Sequence, residues 1–336
     1  MSDSSITFDA ICIVGAGAIG GWLAAGLARA GKQVSLLARG QSLAALQANG
    51  LQLHSGPADA PKIQRFDLHA SADAASLGPQ DLVIIAVKAP ALKAVAQQIG
   101  PLIGPHTVVL TAMNGVPWWF LHGFGGDLKG TALRSVDPDG TIATAIEARH
   151  VIGGVVHASC ATPAPGVVRH VMGNRIIVGE PSGERSERVQ ALSALLQAGG
   201  FEAPVSGQIQ HDIWYKLWGN MTMNPISAFT GGTSTDIMDD ELVLAFSHRI
   251  MLEARAIGAA FGAAIDQEPA DRHVITRKLG TFKTSMLQDV EAGKPVELDA
   301  LVASVRELGQ LTGVPTPEID TLLGLARLHA RVHGLY

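Results

Sequence analysis

The first part of the chain carries an apolar pattern that predicts a parallel sheet with helices between its strands. Short, largely apolar runs occur at 11–14, 33–38, 81–87 and 107–111. Such runs are typical of strands that are buried on both faces. Helical spacing at 19–30 and 89–99 falls between them. We therefore predict a doubly wound α/β sheet.

The pattern changes after Met113, first to mixed strands and then to helices. Further β-like runs lie at 151–158, 166–171, 175–178 and 201–205, with a helix after Ser186. They predict mixed or antiparallel strands that extend the same sheet. From about Gly207 the apolar spacing predicts helices at 208–229, 240–261, 271–292, 299–312 and 317–333. The simplest division is an α/β domain over residues 1–206 and an all-helical domain over residues 207–336.

Composition and charge narrow the class of protein. The 336 residues are 47% hydrophobic and 16% charged, with a net charge of −5 and no run of Lys or Arg. This pattern lacks the basic footprint of nucleic-acid and anionic-membrane binders, so we expect small-molecule partners. Cys12 and Cys160 cannot build a disulfide framework or a cysteine-based zinc site, and no metal is expected. Because the N-terminus has no basic signal region, we expect a location in the reducing cytoplasm.

One uncharged stretch, 11–28, has 18 residues, the minimum length for a membrane span. Its glycines favour another interpretation. They form a G-x-G-x-x-G turn between a predicted strand and a predicted helix, with the residues Gly15, Ala16, Gly17, Ala18, Ile19 and Gly20. Such a turn lets a pyrophosphate approach the backbone at a helix N-terminus. We predict a dinucleotide site here, and the alternative is a glycine-rich turn without a ligand.

The charges around this turn predict which dinucleotide binds. From Ala10 to Ala58 the chain has no Asp or Glu, and Arg39 stands where NAD sites place an acid. A guanidinium there suits a 2′-phosphate, so we expect NADP(H). Lys88 and Asn114 each follow a predicted strand, at the edge where such sheets bind ligands. The alternatives are a solvated turn residue for Arg39, a surface charge for Lys88 and an ordinary turn for Asn114.

The predicted helix 208–229 places polar residues in an apolar setting. Lys216, Asn220 and Asn224 are spaced four residues apart and so lie along one face. Apolar residues fill its other sides, namely Trp214, Leu217, Trp218 and Met221. A lysine desolvated by indoles can have its pKa lowered toward neutrality, which suits a proton donor in ketone reduction. The asparagines can orient a carboxylate or a hydroxyl. The alternative is an ordinary core or solvated face.

A second polar cluster lies at 284–299. Ser285 and Asp289 share a predicted helical face, and Glu297 follows the break at Gly293. Taken alone, Ser285 reads as a helix hydroxyl without a role, and Asp299 as the N-cap of the next helix.

In order and spacing these motifs resemble the ketopantoate reductase (2-dehydropantoate 2-reductase) family over nearly the whole chain. The matching motifs are Gly-x-Gly-Ala-Ile-Gly at 15–20, Val-Lys-Ala at 87–89, Asn-Gly at 114–115, Lys-Leu-x-x-Asn-x-x-x-Asn-Pro at 216–225, and Ser-Met-Leu-Gln-Asp with a later Glu at 285–297. The resemblance implies an N-terminal Rossmann domain and a C-terminal helical domain, and we expect the helical domain to carry substrate and dimer contacts. It also implies NADPH-dependent reduction of 2-dehydropantoate, or a related 2-oxo acid, in pantothenate biosynthesis.

The resemblance further implies a role for individual residues. The residue matching Lys216 is the general acid, and the residue matching Glu297 supports catalysis. The arginine matching Arg39 holds the 2′-phosphate of the cofactor. The residues that match substrate contacts are Asn114, Asn220, Asn224 and Ser285.

Two departures from the family pattern concern the substrate. Residues 233–234 replace an asparagine of some members, and the stretch 117–140 is long, aromatic and rich in glycine. The sequence therefore defines the type of reaction better than it defines which 2-oxo acid is the substrate. Two other functions stay open, a 3-hydroxyacid-type dehydrogenase acting on another small carboxylate and a non-catalytic NADP(H)-sensing protein. The apolar helical domain is compatible with a homodimer.

Overall fold

A computed structural model describes residues 6–336, which divide into two compact units. The first unit runs to Met113 and includes Thr141–Ile209, and the second comprises Asn114–Gly140 and Gln210–Tyr336. Among residues 6–336 no helix is long and apolar enough to cross a membrane. The uncharged stretch 11–28 forms a strand, a turn and most of a 12-residue helix.

A single sheet, nine-stranded over the described residues, is the centre of the first unit. Its strands are β1 (Ile11–Val14), β2 (Val34–Leu37), β3 (Leu51–Ser55), β4 (Lys62–Phe66), β5 (His69–Ser71), β6 (Gln80–Ile85), β7 (Ile103–Thr111), β8 (Val151–Ala164) and β9 (Val167–Gly179). Their spatial order is β4-β3-β9-β8-β7-β6-β1-β2-β5. Strand β1 pairs in parallel with β2 and β6, with Ile11 opposite Val34 and Leu82. The strand order therefore reverses between β1 and β6, where open α/β sheets bind their ligands.

Helices cover this sheet. In the first unit they are α1 (Ala18–Arg29), α2 (Gly40–Asn49), α3 (Ala74–Leu77), α4 (Ala89–Ala96), α5 (Thr141–Ala145) and α6 (Glu187–Ala198). Helix α1 packs on β3, β8 and β9 and buries Trp22 and Leu23. Helix α6 begins where Ser186 accepts a hydrogen bond from the N–H of Val189 at 3.3 Å, which is an N-cap. The predicted doubly wound α/β sheet is confirmed.

The outer strands differ in detail from the prediction. The runs 166–171 and 175–178 form one strand, β9, which pairs antiparallel with β8 and extends the same sheet. The predicted strand 201–205 is wrong in extent, because it makes only isolated bridges, at Glu202 and Val205. The pattern also missed β3, β4 and β5. Strands β4 and β5 lie at the sheet edges with several exposed side chains, and so carry little apolar signal.

The second unit is built from helices in its described part. They are α7 (Ile209–Thr230), α8 (Ser234–Asp239), α9 (Glu241–Phe261), α10 (Pro269–Arg277), α11 (Ser285–Glu291), α12 (Ser304–Thr312) and α13 (Pro317–Val332), with a π-helical turn at Asp299–Ala303. The predicted helix 271–292 is wrong, because the chain forms α10 and α11 there. Gly280 adopts a φ of +74°, which ends a helix. Thr284 then caps α11 by accepting from the N–H of Leu287 at 3.1 Å.

The segment 114–140 belongs to the second unit, although the sequence pattern gave no sign of this. The ring of Phe120 lies 6.2 Å from that of Trp214 and 5.9 Å from that of Phe261. The side chain of Gln210 also donates to the carbonyl of Phe120, at 3.3 Å. The segment thus packs against α7 and α9. The domain boundary between residues 206 and 207 stays a prediction.

Both cysteines are free thiols in the first unit. Burial raises the pKa of Cys12 and of Cys160 to about 12. Because the thiolate is the reactive form, neither cysteine has the character of a nucleophile.

Candidate active site

Three neighbouring strands of the first unit end together, and the predicted cofactor residues follow them. The turn at 15–20 follows β1, Arg39 follows β2 and Lys88 follows β6. These strands are adjacent and parallel, so their carboxyl ends share one edge of the sheet. The N–H of Gly15 donates to the carbonyl of Leu37 at 3.0 Å, which joins the turn to the end of β2. The structure therefore brings these residues of the first unit to the same edge.

A side chain would have a different steric effect at each of the three glycines of the turn. Gly15 has a φ of +100°, and a Cβ there would lie 2.7 Å from Val87 Cγ1. A Cβ on Gly20 would overlap the carbonyl oxygen of Gly15. Gly17 is exposed, and a Cβ there would meet nothing within 4 Å. The fold itself thus requires Gly15 and Gly20, whereas Gly17 leaves open space where a phosphate can approach the backbone.

The electrostatics of this edge suit an anion. Helix α1 starts within the G-x-G-x-x-G motif, with Ala18, Ile19 and Gly20 in its first turn and no acidic residue among them. Its unpaired N–H groups carry partial positive charge. Ala16 is buried behind the turn, and Arg39 is exposed just before α2. These residues fit an anionic dinucleotide, and the guanidinium of Arg39 is accessible for a 2′-phosphate.

Two further predicted residues follow strands. Lys88 is half-buried and precedes α4 as its N-cap residue. Asn114 lies three residues after β7 and is the first residue of the second unit. Contact of either residue with a cofactor stays a prediction.

In the second unit, α7 carries Lys216 among buried apolar side chains. As predicted, Trp214, Leu217, Trp218 and Met221 are buried, each at most 2% exposed. The Nζ atom of Lys216 donates a hydrogen bond to Oδ1 of Asn114 at 2.7 Å. This bond leaves the amide NH2 of Asn114 directed elsewhere, as a donor. Two of the predicted site residues are therefore in direct contact.

The environment of Lys216 changes its acidity. Loss of solvation by burial lowers the pKa of its ammonium from 10.5 to about 8, against the opposing effect of the Glu297 carboxylate, which raises it. The carboxylate of Glu297 is itself buried, with 6% of the residue exposed. Near neutral pH the lysine is thus protonated and also ready to release its proton, which is the property of an efficient general acid.

The turn that follows Glu297 packs directly on the residue that follows Asn114. Gly115 has a φ of +82°, and a Cβ there would lie 2.5 Å from the carbonyl oxygen of Ala300. The N–H of Val116 donates to that same oxygen at 2.8 Å. Only glycine allows so close an approach of the two backbones. Ala300 is in the π-helical turn, a rare element that is frequent at functional sites.

The remaining predicted residues lie on α7 or on α11. Asn220 is half-buried and Asn224 is buried, both on α7 as predicted. Ser285 is the exposed first residue of α11, and Asp289 is buried one turn later. Their contact with a substrate stays a prediction.

The prediction for Asp299 is wrong. Leu298 occupies the N-cap position, and the carboxylate of Asp299 instead accepts a hydrogen bond from the hydroxyl of Tyr336 at 2.6 Å. A role for Gly115, Ala300 and Tyr336 was not predicted. The Asn-Gly pair was the available signal for Gly115, because such a pair favours a left-handed glycine. No local signal pointed to the other two residues, whose partners are remote in sequence.

The comparison with known proteins settles the family. A model described as ketopantoate reductase PanE/ApbA matches residues 11–183, and its C-terminal counterpart matches residues 208–330. The chain belongs to the ketopantoate reductase family. This confirms the resemblance seen in the motifs, and with it a Rossmann-like sheet followed by a helical part as in ketopantoate reductase structures.

Individual relatives agree with membership of the ketopantoate reductase family. The chain is 49% identical to a 2-dehydropantoate 2-reductase of Mesorhizobium japonicum, over 97% of this chain and 99% of the relative. A solved Ralstonia solanacearum MolK2 protein assigned as a ketopantoate reductase is 55% identical, with a TM-score of 0.93 over 98% of this chain and 100% of the other. A 2-dehydropantoate 2-reductase of Geobacter metallireducens GS-15 is 27% identical, with a TM-score of 0.82 over 95% and 99%.

Proposed function

We propose that this protein uses NADPH to reduce 2-dehydropantoate (ketopantoate) to pantoate, a step of pantothenate and coenzyme A biosynthesis. The observation that carries the proposal is the desolvated lysine Lys216, hydrogen-bonded to Asn114 at 2.7 Å and within the field of Glu297. Membership of the ketopantoate reductase family supplies the substrate.

The proton is the part of this reaction that the chain itself provides. Reduction of a ketone adds a hydride to the carbon and a proton to the oxygen. NADPH, when bound, supplies the hydride. The ammonium of Lys216 donates the proton to the developing alkoxide, and a pKa of about 8 makes this donation easier than from an ordinary lysine. The resulting amine is reprotonated from solvent before the next turnover.

Glu297 keeps that proton available. Because its carboxylate raises the pKa of Lys216, it opposes the effect of desolvation, which favours the neutral amine. Its own burial keeps the attraction strong, since few water molecules screen it. Glu297 therefore acts in catalysis by maintaining the acid in its protonated form.

Uncharged donors complete the substrate site. 2-Dehydropantoate carries a carboxylate, a ketone and a hydroxyl, all of which accept hydrogen bonds. Asn114, Asn220, Asn224 and Ser285 supply donors that do not titrate in the working pH range. Asn114 has its amide oriented by Lys216, which leaves the NH2 group for the substrate. These four residues orient the ketone with respect to the proton donor.

The first unit holds the cofactor. The backbone of Gly15, Ala16 and Gly17 and the start of α1, residues 18–20, bind the pyrophosphate. Arg39 binds the 2′-phosphate, which gives a preference for NADPH over NADH. Lys88 adds a positive charge at the same edge of the sheet, and Asn114 is a second polar group for the cofactor.

A steady-state assay with a panel of oxo acids tests this function. NADPH oxidation is followed with 2-dehydropantoate, other branched 2-oxo acids and a 3-oxo acid. We expect the highest kcat/KM with 2-dehydropantoate. Preference for the 3-oxo acid would support the 3-hydroxyacid-type dehydrogenase instead. Tight NADPH binding without turnover of any acid would support a sensing protein.

Assembly and location stay proposals of their own. We propose a homodimer, which sedimentation velocity tests directly. We also propose a cytoplasmic location, which fractionation of the source cells tests.

A further inference from the structure

The segment that carries Glu297 is held on both sides by two neighbouring residues. The N–H of Val296, the residue before Glu297, donates to the carbonyl of Leu335 at 3.0 Å. The hydroxyl of Tyr336 donates to Oδ1 of Asp299, two residues after Glu297, at 2.6 Å. These two hydrogen bonds therefore bracket the buried carboxylate.

Tyr336 is itself fixed to the end of α13. Leu335 is buried, and its N–H donates to the carbonyl of Ala330 at 2.8 Å. The guanidinium of Arg331 lies over the ring of Tyr336, 5.4 Å from its centroid. The phenol thus projects from a point that is tied to α13, with 45% of the residue exposed.

We propose that Tyr336 is a positioning residue for the reaction, because its hydroxyl holds Asp299, and so the turn after Glu297, with the carboxylate of Glu297 kept beside Lys216. This inference rests on the proposed function of Lys216 and Glu297. The contact between Gly115 and Ala300 holds the same turn at a second point. Loss of the Tyr336 bond therefore loosens the turn without releasing it.

The surroundings of Tyr336 keep its hydroxyl protonated, so that it remains a hydrogen-bond donor to Asp299. Desolvation, the hydrogen bond to Asp299 and the charge of that carboxylate raise the pKa of Tyr336 to about 12. Arg327 and Arg331 act in the opposite direction. The phenol stays protonated throughout the pH range of an assay, so the tyrosine itself adds no titration to the activity profile.

The test compares four variants at Tyr336 and Asp299 with wild type. Tyr336→Phe and Asp299→Ala each lower kcat about 3- to 10-fold, because a displaced catalytic group costs rate. They leave the KM for NADPH unchanged and move the alkaline limb of the pH profile to lower pH. Asp299→Asn keeps the acceptor and stays near wild type. The double variant Tyr336→Phe/Asp299→Ala is no worse than either single variant, since both remove one bond.

Thr316→Val is the matched control at the start of the same helix, α13. It removes another hydroxyl-to-carboxylate hydrogen bond, from Thr316 to Asp320 at 3.1 Å. It is expected to keep the kcat and the pH profile of wild type. Equal losses in Thr316→Val and Tyr336→Phe, or an unmoved alkaline limb in Tyr336→Phe, would show a structural role only and overturn the proposal.

A readout without turnover separates this inference from the proposed function. The pKa of Lys216 is measured by NMR of isotope-labelled lysine, with the signal assigned by its absence in Lys216→Met. Tyr336→Phe is expected to lower the pKa of Lys216, because a more mobile Glu297 carboxylate stabilises the ammonium less. An unchanged pKa overturns the positioning role even if the enzyme is active. A lowered pKa in a protein that reduces no oxo acid would leave the positioning intact and reject the proposed function.

Discussion

The Nζ atom of Lys216 donates to Oδ1 of Asn114 at 2.7 Å, although the two residues lie 102 positions apart in the sequence. Lys216 belongs to α7, and Asn114 is the first residue of the segment 114–140. The bond uses one of the three protons of the ammonium and fixes its direction. The acid of the proposed reaction is thereby oriented before any substrate arrives, which lowers the cost of reaching the transition state.

The desolvation of Lys216 predicts the pH dependence of the reaction. The acid must carry its proton, so kcat/KM is level below the pKa of Lys216 and falls above it. With a pKa of about 8, the fall begins near that pH and approaches a factor of about 10 per pH unit. The profile is measured at constant ionic strength with 2-dehydropantoate. A lysine of ordinary acidity would keep the activity level to about pH 10, and that result would contradict the assignment.

Glu297→Gln is expected to shift this profile. The carboxylate raises the pKa of Lys216, so its neutral isostere lowers that pKa and moves the alkaline limb to below pH 8. At pH 7.5 a smaller fraction of the enzyme then carries the proton, and kcat falls. Glu291→Gln is the control, because Glu291 forms an exposed ion pair with Lys283 at the surface. A limb that moves to higher pH, or equally in both variants, would be inconsistent with this role of Glu297.

Arg39→Ala is expected to weaken the binding of NADPH much more than the binding of NADH. Hydrogen bonds between a charged donor and a phosphate contribute about 1.5 to 3 kcal/mol, which corresponds to a loss of about 10- to 150-fold in affinity. NADH has no 2′-phosphate, so its affinity is expected to stay within about 3-fold. Dissociation constants for both cofactors are compared with those of Arg65→Ala, an exposed arginine on β4. Parallel losses for NADPH and NADH would argue against a 2′-phosphate contact.

Substitutions at two glycines of the turn are expected to affect different properties, namely NADPH affinity at Gly17 and the stability of the fold at Gly20. A Cβ on Gly17 meets nothing in the fold, so Gly17→Val keeps the melting temperature of wild type but loses at least about 10-fold in NADPH affinity. A Cβ on Gly20 overlaps the carbonyl of Gly15, so Gly20→Ala destabilises the fold by about 1 to 3 kcal/mol. Thermal unfolding and cofactor titration of both variants distinguish the two effects. Normal NADPH binding by a folded Gly17→Val would exclude a phosphate at this turn.

Those parts of the fold and of the site whose signal lies in neighbouring residues could be predicted from the sequence. Strands β1 and β6 and residues 107–111 of β7 contain buried apolar runs, and the G-x-G-x-x-G turn is contiguous, so these features could be predicted from the residues alone. The face of α7 with Lys216, Asn220 and Asn224 follows from helical spacing in the same way.

The remainder depends on contacts between distant parts of the chain. The packing of segment 114–140 on α7 and α9 is a tertiary arrangement of aromatic rings, and no periodicity encodes it. The same holds for Gly115 on Ala300 and for Tyr336 on Asp299. The split of the helix predicted at 271–292 was missed because a single glycine, Gly280, takes a left-handed conformation inside an otherwise helical pattern.

Lys216→Ala gives the most direct test of the central claim, that Lys216 is the proton donor in NADPH-dependent reduction of 2-dehydropantoate. The variant and wild type are compared for kcat at saturating NADPH and for NADPH affinity by equilibrium titration, with Lys278→Ala, at an exposed position, as the control. We predict that kcat falls by a factor of about 10² to 10⁴ in Lys216→Ala, whereas NADPH affinity and the activity of the control are unchanged. A Lys216→Ala enzyme with nearly the kcat of wild type would contradict the account.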